Sequence, residues 1–164
     1  MQDTVDSLLA QWFSQQPELD SSGLGIVVRI QLLSKLMQQS TEKVLAPLEL
    51  KLWEYDVLSA LRRQGAPFMM PASELARAAL LTSGAMTTRI DRLAGRGLVR
   101  REAHRRDRRG VNVQLTDAGH RLIDAAFSAR LGSADELLAA LSGRERNQLS
   151  AGLRKMLVAL DPAA

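Results

Sequence analysis

The stretch RREAHRRDRRG, residues 100–110, holds six arginines in eleven positions, with Glu102 and Asp107 among them. A guanidinium is a planar fork of donors that fits phosphate oxygens and groove edges better than an ammonium does. The chemistry on offer is binding to a polyanion. The bias extends beyond the stretch. Residues 62–109 carry twelve basic side chains, all Arg, against four acidic ones, while the rest of the chain carries ten against fourteen. Positive charge localised in this way is the electrostatic footprint of a nucleic-acid binder. His104 reads as one more polar group on that surface.

Other chemistries are poorly provided for. The two histidines, His104 and His120, stand in no ligand or base spacing, and cysteine is absent. No phosphate-cradling glycine loop, dinucleotide fingerprint or Cys/His metal cluster occurs. An enzyme is therefore not expected, nor a metal, a required cofactor, a disulfide or thiol redox chemistry. The 164 residues suffice for one domain with a real core. No apolar run reaches the roughly 18 residues of a membrane span. The opening MQDTVDSLLAQW lacks the basic start and apolar run of a secretory signal. A cytoplasmic location is the expectation.

The elements that must position the arginines follow from periodicity. Val5, Leu8, Leu9 and Trp12 set a short helix over residues 3–16, stopped by Pro17. After ELDSSG, with Ser21 or Ser22 as cap, a long helix spans 23–46. Its stripe is Ile26, Ile30, Leu33 and Met37, widened by Val27 and Leu36. A face that broad packs against more than its own domain. A helix over 52–64 carries Trp53, Val57 and Leu61 and ends at Gly65. APFMMP reads as a loop, and Pro71 opens a short helix to about Ala79. Thr82 or Ser83 caps the next helix, which runs to about Arg96. The period then drops to two. LVRRE and VNVQLT form a β-hairpin with the arginines at its tip, where Gly110 gives freedom. Val111, Val113 and Leu115 share one face, Asn112 and Gln114 the other. Thr116 caps a helix to about Leu141. Ser142 with Glu145 forms a capping box for the last one, which carries Leu149, Leu153, Met156, Leu157 and Leu160.

A short helix, a turn, a second helix and a basic hairpin make a winged helix-turn-helix in a mainly α chain with a small β-hairpin. In such an arrangement the second helix enters the major groove, and the basic tip reaches the adjacent minor groove. On the helix over 83–95, Met86, Ile90 and Leu93 face inward, Gly84, Thr87, Thr88 and Asp91 point roughly opposite, and Arg92 lies on the flank. Arg89 borders the buried face. An unpaired buried charge costs about 3–5 kcal/mol, and Asp56, in WEYDVL, poses the mirror problem. Pairing the two would satisfy both.

These residues resemble the MarR family of transcriptional regulators. DRRGVNVQLTDAG, residues 107–119, is similar to the family's wing signature, and TSGAMTTRIDRLAGRGLVRR, residues 82–101, to its recognition helix and first wing strand. The resemblance covers nearly the whole chain. It implies one MarR-type domain over 1–164: helical dimerisation and sensor regions over 3–46 and 117–160, and a winged helix over 52–115. It also implies a homodimer on a pseudo-palindromic operator of double-stranded DNA, acting as a repressor. Within the motif, Ser83, Thr87 and Thr88 are expected at bases or nearby phosphates and Arg92 as a phosphate clamp. By the same resemblance Arg109 enters the groove and Asp107 orients it or a neighbour, while Arg105, Arg106 and Arg108 meet phosphates or water.

W…PELD near the start, YDVLSALRRQG, SGAMTTRIDRL and GLVRR further resemble the urate-responsive, PecS-like branch, which has an extra N-terminal helix bearing a tryptophan. That likeness implies a ligand set of Trp12, Asp56, Arg89 and Arg101, and as effector a small aromatic or purine anion such as urate or xanthine. An indole can stack on a purine, two arginines can hold an anionic oxygen, and a carboxylate can accept a ring N–H. Two positions depart from the pattern: Lys51 in place of a Thr/Ser cap, and Arg100 in place of an acidic residue. The alternatives are a non-specific architectural DNA binder and a winged-helix protein-interaction module.

Overall fold

The computed structural model describes residues 2–78, 83–103 and 110–161. The chain divides into two compact units, Met1–Lys43 and Val44–Ala164.

In the first unit, helix α1 (Thr4–Gln15) opens on a reciprocal cap. The Asp3 carboxylate accepts the backbone N–H groups of Val5 and Asp6, and the Asp6 carboxylate accepts that of Asp3. Helix α2 (Ser22–Leu45) starts with Asp20, not Ser21, accepting the N–H of Ser22 at 2.9 Å. Arg29 of α2 forks onto Asp3, with Nε and Nη2 at 2.8 and 3.0 Å from its two oxygens, and also contacts Asp6. One guanidinium thus joins the helices through the same carboxylates that cap α1. Their approach is close at Gly25, where a Cβ would lie 2.8 Å from Leu9 Cδ1. Most of the stripe expected on α2 is uncovered in the single chain: Ile26, Val27, Leu33, Leu36 and Met37 are exposed, while Ile30 is half-buried.

The second unit is built on helix α3 (Leu52–Arg62), strand β1 (Met69–Pro71), helices α4 (Ala72–Ala78) and α5 (Ser83–Gly95), strands β2 (Val99–Ala103) and β3 (Val111–Leu115), and helices α6 (Asp117–Leu137) and α7 (Gly143–Leu160). Its core gathers Leu58 and Leu61 of α3, Leu75 of α4, Met86, Ile90 and Leu93 of α5, Val113 of β3 and Ile123 of α6. The inward face expected of α5 is the one observed.

The sheet differs from the hairpin expected. It has three antiparallel strands in the order β1-β3-β2, with Met70 opposite Val113 and Arg101 also opposite Val113. Residues 69–71, read as loop, become a strand because β3 pairs on both sides. That central position also buries Asn112, which was placed on the polar face, while Val111 at the strand's start is exposed. Thr116 caps α6 as expected. Its Oγ1 accepts the N–H of Gly119, and its hydroxyl donates to the Gly97 carbonyl at 2.6 Å. Gly119 is required by proximity, since a Cβ there would lie 2.0 Å from the Leu98 carbonyl oxygen. Helix α6 ends at Leu137, short of Leu141. The Arg146 guanidinium takes up the Leu138 and Leu141 carbonyls at 2.9 and 3.1 Å, which closes the turn into α7. The Ser142–Glu145 box forms as read.

Candidate nucleic-acid interface and small-molecule cleft

Helix α5 has two chemically distinct sides. Met86, Ile90 and Leu93 are at most 1 % exposed. Gly84, Thr87, Thr88, Asp91 and Arg92 are exposed on the other side. Burial of the first set therefore fixes which way the second set points. The Thr88 hydroxyl donates back to the Gly84 carbonyl at 3.3 Å, a bond that a better acceptor can replace. The side chain of Ser83 lies outside what is described. So do Arg105, Arg106, Asp107, Arg108 and Arg109, together with His104. The flanking strands β2 and β3 are in register up to Ala103 opposite Val111, and the arginine stretch connects them.

Two ion pairs hold α5 by its C-terminal half. Arg96, just past its end, places Nη1 2.8 Å from Glu54 Oε1. Glu54 is buried, and its other oxygen accepts the Lys51 N–H at 2.9 Å. The missing Thr/Ser cap of α3 is thus half replaced: Lys51 makes no side-chain cap, but Glu54 still satisfies the backbone N–H of Lys51 itself. Asp91 on the exposed side meets Arg101 Nη2 of β2 at 2.7 Å, so the helix and the strand leading to the arginine stretch are joined directly. Arg100 donates from Nε and Nη2 to Gln114 Oε1, and Gln114 Nε2 donates to the Pro67 carbonyl. That residue braces the sheet.

Behind α5 lies a cleft of about 640 Å³, within the range of small-molecule sites. Asp56 and Arg63 of α3, Arg89 of α5, and Asp124, Phe127 and Arg130 of α6 are among its lining. The expected Asp56–Arg89 salt bridge is not formed: among the described residues no ion pair joins them. The Arg89 guanidinium instead sits over the Trp53 ring, 5.2 Å from its centroid. Arg89 still acts on Asp56 through space. Desolvation raises the Asp56 carboxyl above its ordinary range, and the positive charges of Arg130, Arg63 and Arg89 pull against that shift. Arg62 and Asp124 form a 2.8 Å ion pair that holds the Asp124 carboxyl below its usual range. Of the four residues expected to hold a ligand, Asp56 and Arg89 line the cleft. Arg101 is not among the lining and is engaged by Asp91. Trp12, exposed, belongs to the first unit. Arg130 was not singled out from the sequence. It is one more arginine on a surface helix until α6 docks on α3 and its guanidinium lands over Tyr55, 4.7 Å from the ring centroid.

A sequence profile of the MarR family matches residues 48–110. The chain is 32 % identical over 152 residues to the HTH-type transcriptional regulator PecS of Dickeya dadantii, which covers 93 % of this chain and 92 % of that one. It is 37 % identical over 84 residues to the transcriptional repressor MprA of Escherichia coli, covering 51 % and 48 % of the two chains. Among solved structures, a MarR variant from E. coli complexed with operator DNA superposes with a TM-score of 0.73 at 25 % identity, over 85 % of this chain and 99 % of that one.

Proposed function

The chain belongs to the MarR family of transcriptional regulators, not to an enzyme family, and from that premise we propose that it binds a pseudo-palindromic DNA operator as a homodimer and represses from it. The observation that carries this reading is the sidedness of α5. A helix anchored by three fully buried side chains presents Thr87, Thr88 and Arg92 outward, beside a strand that leads into the arginine stretch. Recognition helices presented twice by a symmetric pair read half-sites about 34 Å apart. The apolar faces of α2 and α7, uncovered in the single chain, are the surfaces by which two copies join. The solved complex of a similar MarR protein with operator DNA supports the same reading.

The cleft behind α5 is the proposed effector site, for a small aromatic or purine anion such as urate or xanthine. Asp56 accepts a ring N–H and Arg89 meets the anionic oxygen. Trp12 and Arg101 complete the proposed set of four; neither lines the cleft. An anion that draws Arg89 off the Trp53 face pulls on α5 from behind, shifts the half-site spacing and releases DNA. A coupling of about 1–3 kcal/mol is typical of such links.

Footprinting on the DNA beside the chain's own gene tests the first part. One protected dyad, with scrambled DNA bound about 100-fold more weakly, is the expected result. Equal binding to scrambled DNA at matched salt would mark a non-specific binder. For the second part, urate, xanthine and nicotinate are titrated against the bound operator. Release by at least one of them, lost in Asp56→Asn and Arg89→Met, is expected; release by none of them overturns the effector proposal.

A further inference from the structure

The cleft holds more positive charge than a single anionic group can neutralise. Four arginines line it, Arg62, Arg63, Arg89 and Arg130, against two carboxylates, Asp56 and Asp124. Arg62 and Asp124 cancel each other across 2.8 Å. None of the other three arginines has a carboxylate partner among the described residues. Among the described residues Arg63 donates only to the Ser59 hydroxyl, at 3.0 Å. Arg89 and Arg130 lie over the faces of Trp53 and Tyr55 and donate no hydrogen bond among the described residues. A guanidinium resting on a ring face keeps the N–H fork in its own plane available to an anion. These two forks and the Arg63 guanidinium therefore stand against Asp56 alone, an excess of two positive charges in a site walled partly by Tyr55 and Phe127. Local fields in such clefts are focused by their low-dielectric walls.

We infer that the ligand of this cleft is a flat ring carrying two negative charges, and that Arg63 and Arg130 select the second one. This inference rests on the proposed effector site and narrows its chemistry from an aromatic anion to an aromatic dianion. With a monoanion bound, one guanidinium has only solvent to face. With a dianion the site is neutral. A charge-assisted bond to a guanidinium is among the stronger polar contacts in proteins, and a difference on the order of tenfold in affinity follows from one such bond. The second charge can sit on a carboxylate or on a phosphate ester, since both are recognised by the same fork.

Calorimetry on the full-length protein, without DNA, tests this directly. The probes are nicotinate, pyridine-3,5-dicarboxylate, phenyl phosphate and inorganic phosphate. At least one of the two ring dianions is expected to bind on the order of tenfold more tightly than nicotinate. Which of them does so tells carboxylate from phosphate as the source of the second charge. Arg130→Met or Arg63→Met should shrink that ratio to about threefold or less, while Arg130→Lys, which keeps the charge, retains most of it. Thermal melting checks that each variant is folded. Equal affinity for nicotinate and both dianions overturns the inference. So does a ratio unchanged in both methionine variants, or inorganic phosphate binding as tightly as phenyl phosphate, since the ring then plays no part. A dianion that binds with the expected preference but leaves the operator occupied upholds this inference and defeats the release mechanism instead, so the two failures are distinct.

Discussion

The winged core and helix α7 are built from the same apolar residues to opposite effect. Among the described residues, the ten largest fully buried side chains all lie between Leu45 and Ile123. Helix α7 buries none, although Leu149, Leu153, Met156, Leu157 and Leu160 recur along it at helical spacing. An amphipathic helix of 18 residues with no packed face is marginal in water. The core is complete within one chain; α7 presents a stripe that only a second surface can cover. Apolar periodicity therefore says that a face will be buried, not whether the chain itself does the burying.

Substitutions can break or sharpen this contrast. Leu93→Ala, at the centre of the core, should lower unfolding free energy by about 2–5 kcal/mol in denaturant titration, because the surrounding helices cannot collapse fully into the void. Gly119→Ala forces a methyl toward the Leu98 carbonyl and should destabilise by about 1–3 kcal/mol, unless α6 moves away from the entry to β2. Asp56→Asn should act in the other direction and more weakly. Burial raises the folded-state pKa of Asp56, so its ionised form is a burden on the fold at neutral pH. The variant should melt slightly higher at pH 7. The difference should fade as the pH drops through the raised folded value toward 3.8, because the wild-type carboxyl then takes up its proton in the folded state. Leu157→Glu should change the stability of the dilute single chain least, within about 0.5 kcal/mol. In sedimentation the same variant should lose the proposed dimer. If it unfolds the single chain as Leu93→Ala does, the contrast between core and stripe fails.

The same reasoning explains what could be read from the residues alone. The inward face of α5 was legible because Met86, Ile90 and Leu93 repeat with the helix, and nothing competes for them. Strand β1 was not, because Met69–Pro71 is too short to alternate and contains a proline; only its pairing with β3 makes it a strand. Asp56 and Arg89 were rightly placed near one another, since both line one cleft. Their bond was not formed because the Trp53 face, three residues before Asp56 on α3, takes the guanidinium. Arg130 and the Glu54–Arg96 pair had no local signal at all. Each depends on two elements distant in sequence docking first. For the arginine stretch, composition was legible, while residues 104–109 lie outside what the structure describes.

The attachment of α5 by Arg96 to the buried Glu54 gives the helix the geometry of a lever with its fulcrum at the C-terminal end, the Asp91–Arg101 pair being a second, exposed tie along its length. Arg89 stands about 10 Å along the axis from that fulcrum and Gly84 about 18 Å, at 1.5 Å per residue. A sideways nudge delivered at Arg89 reaches Gly84 enlarged by a factor of about 1.7. A molecule bound at the proposed effector site, no larger than one side chain, would thus throw the N-terminal end of the helix further than it moves itself.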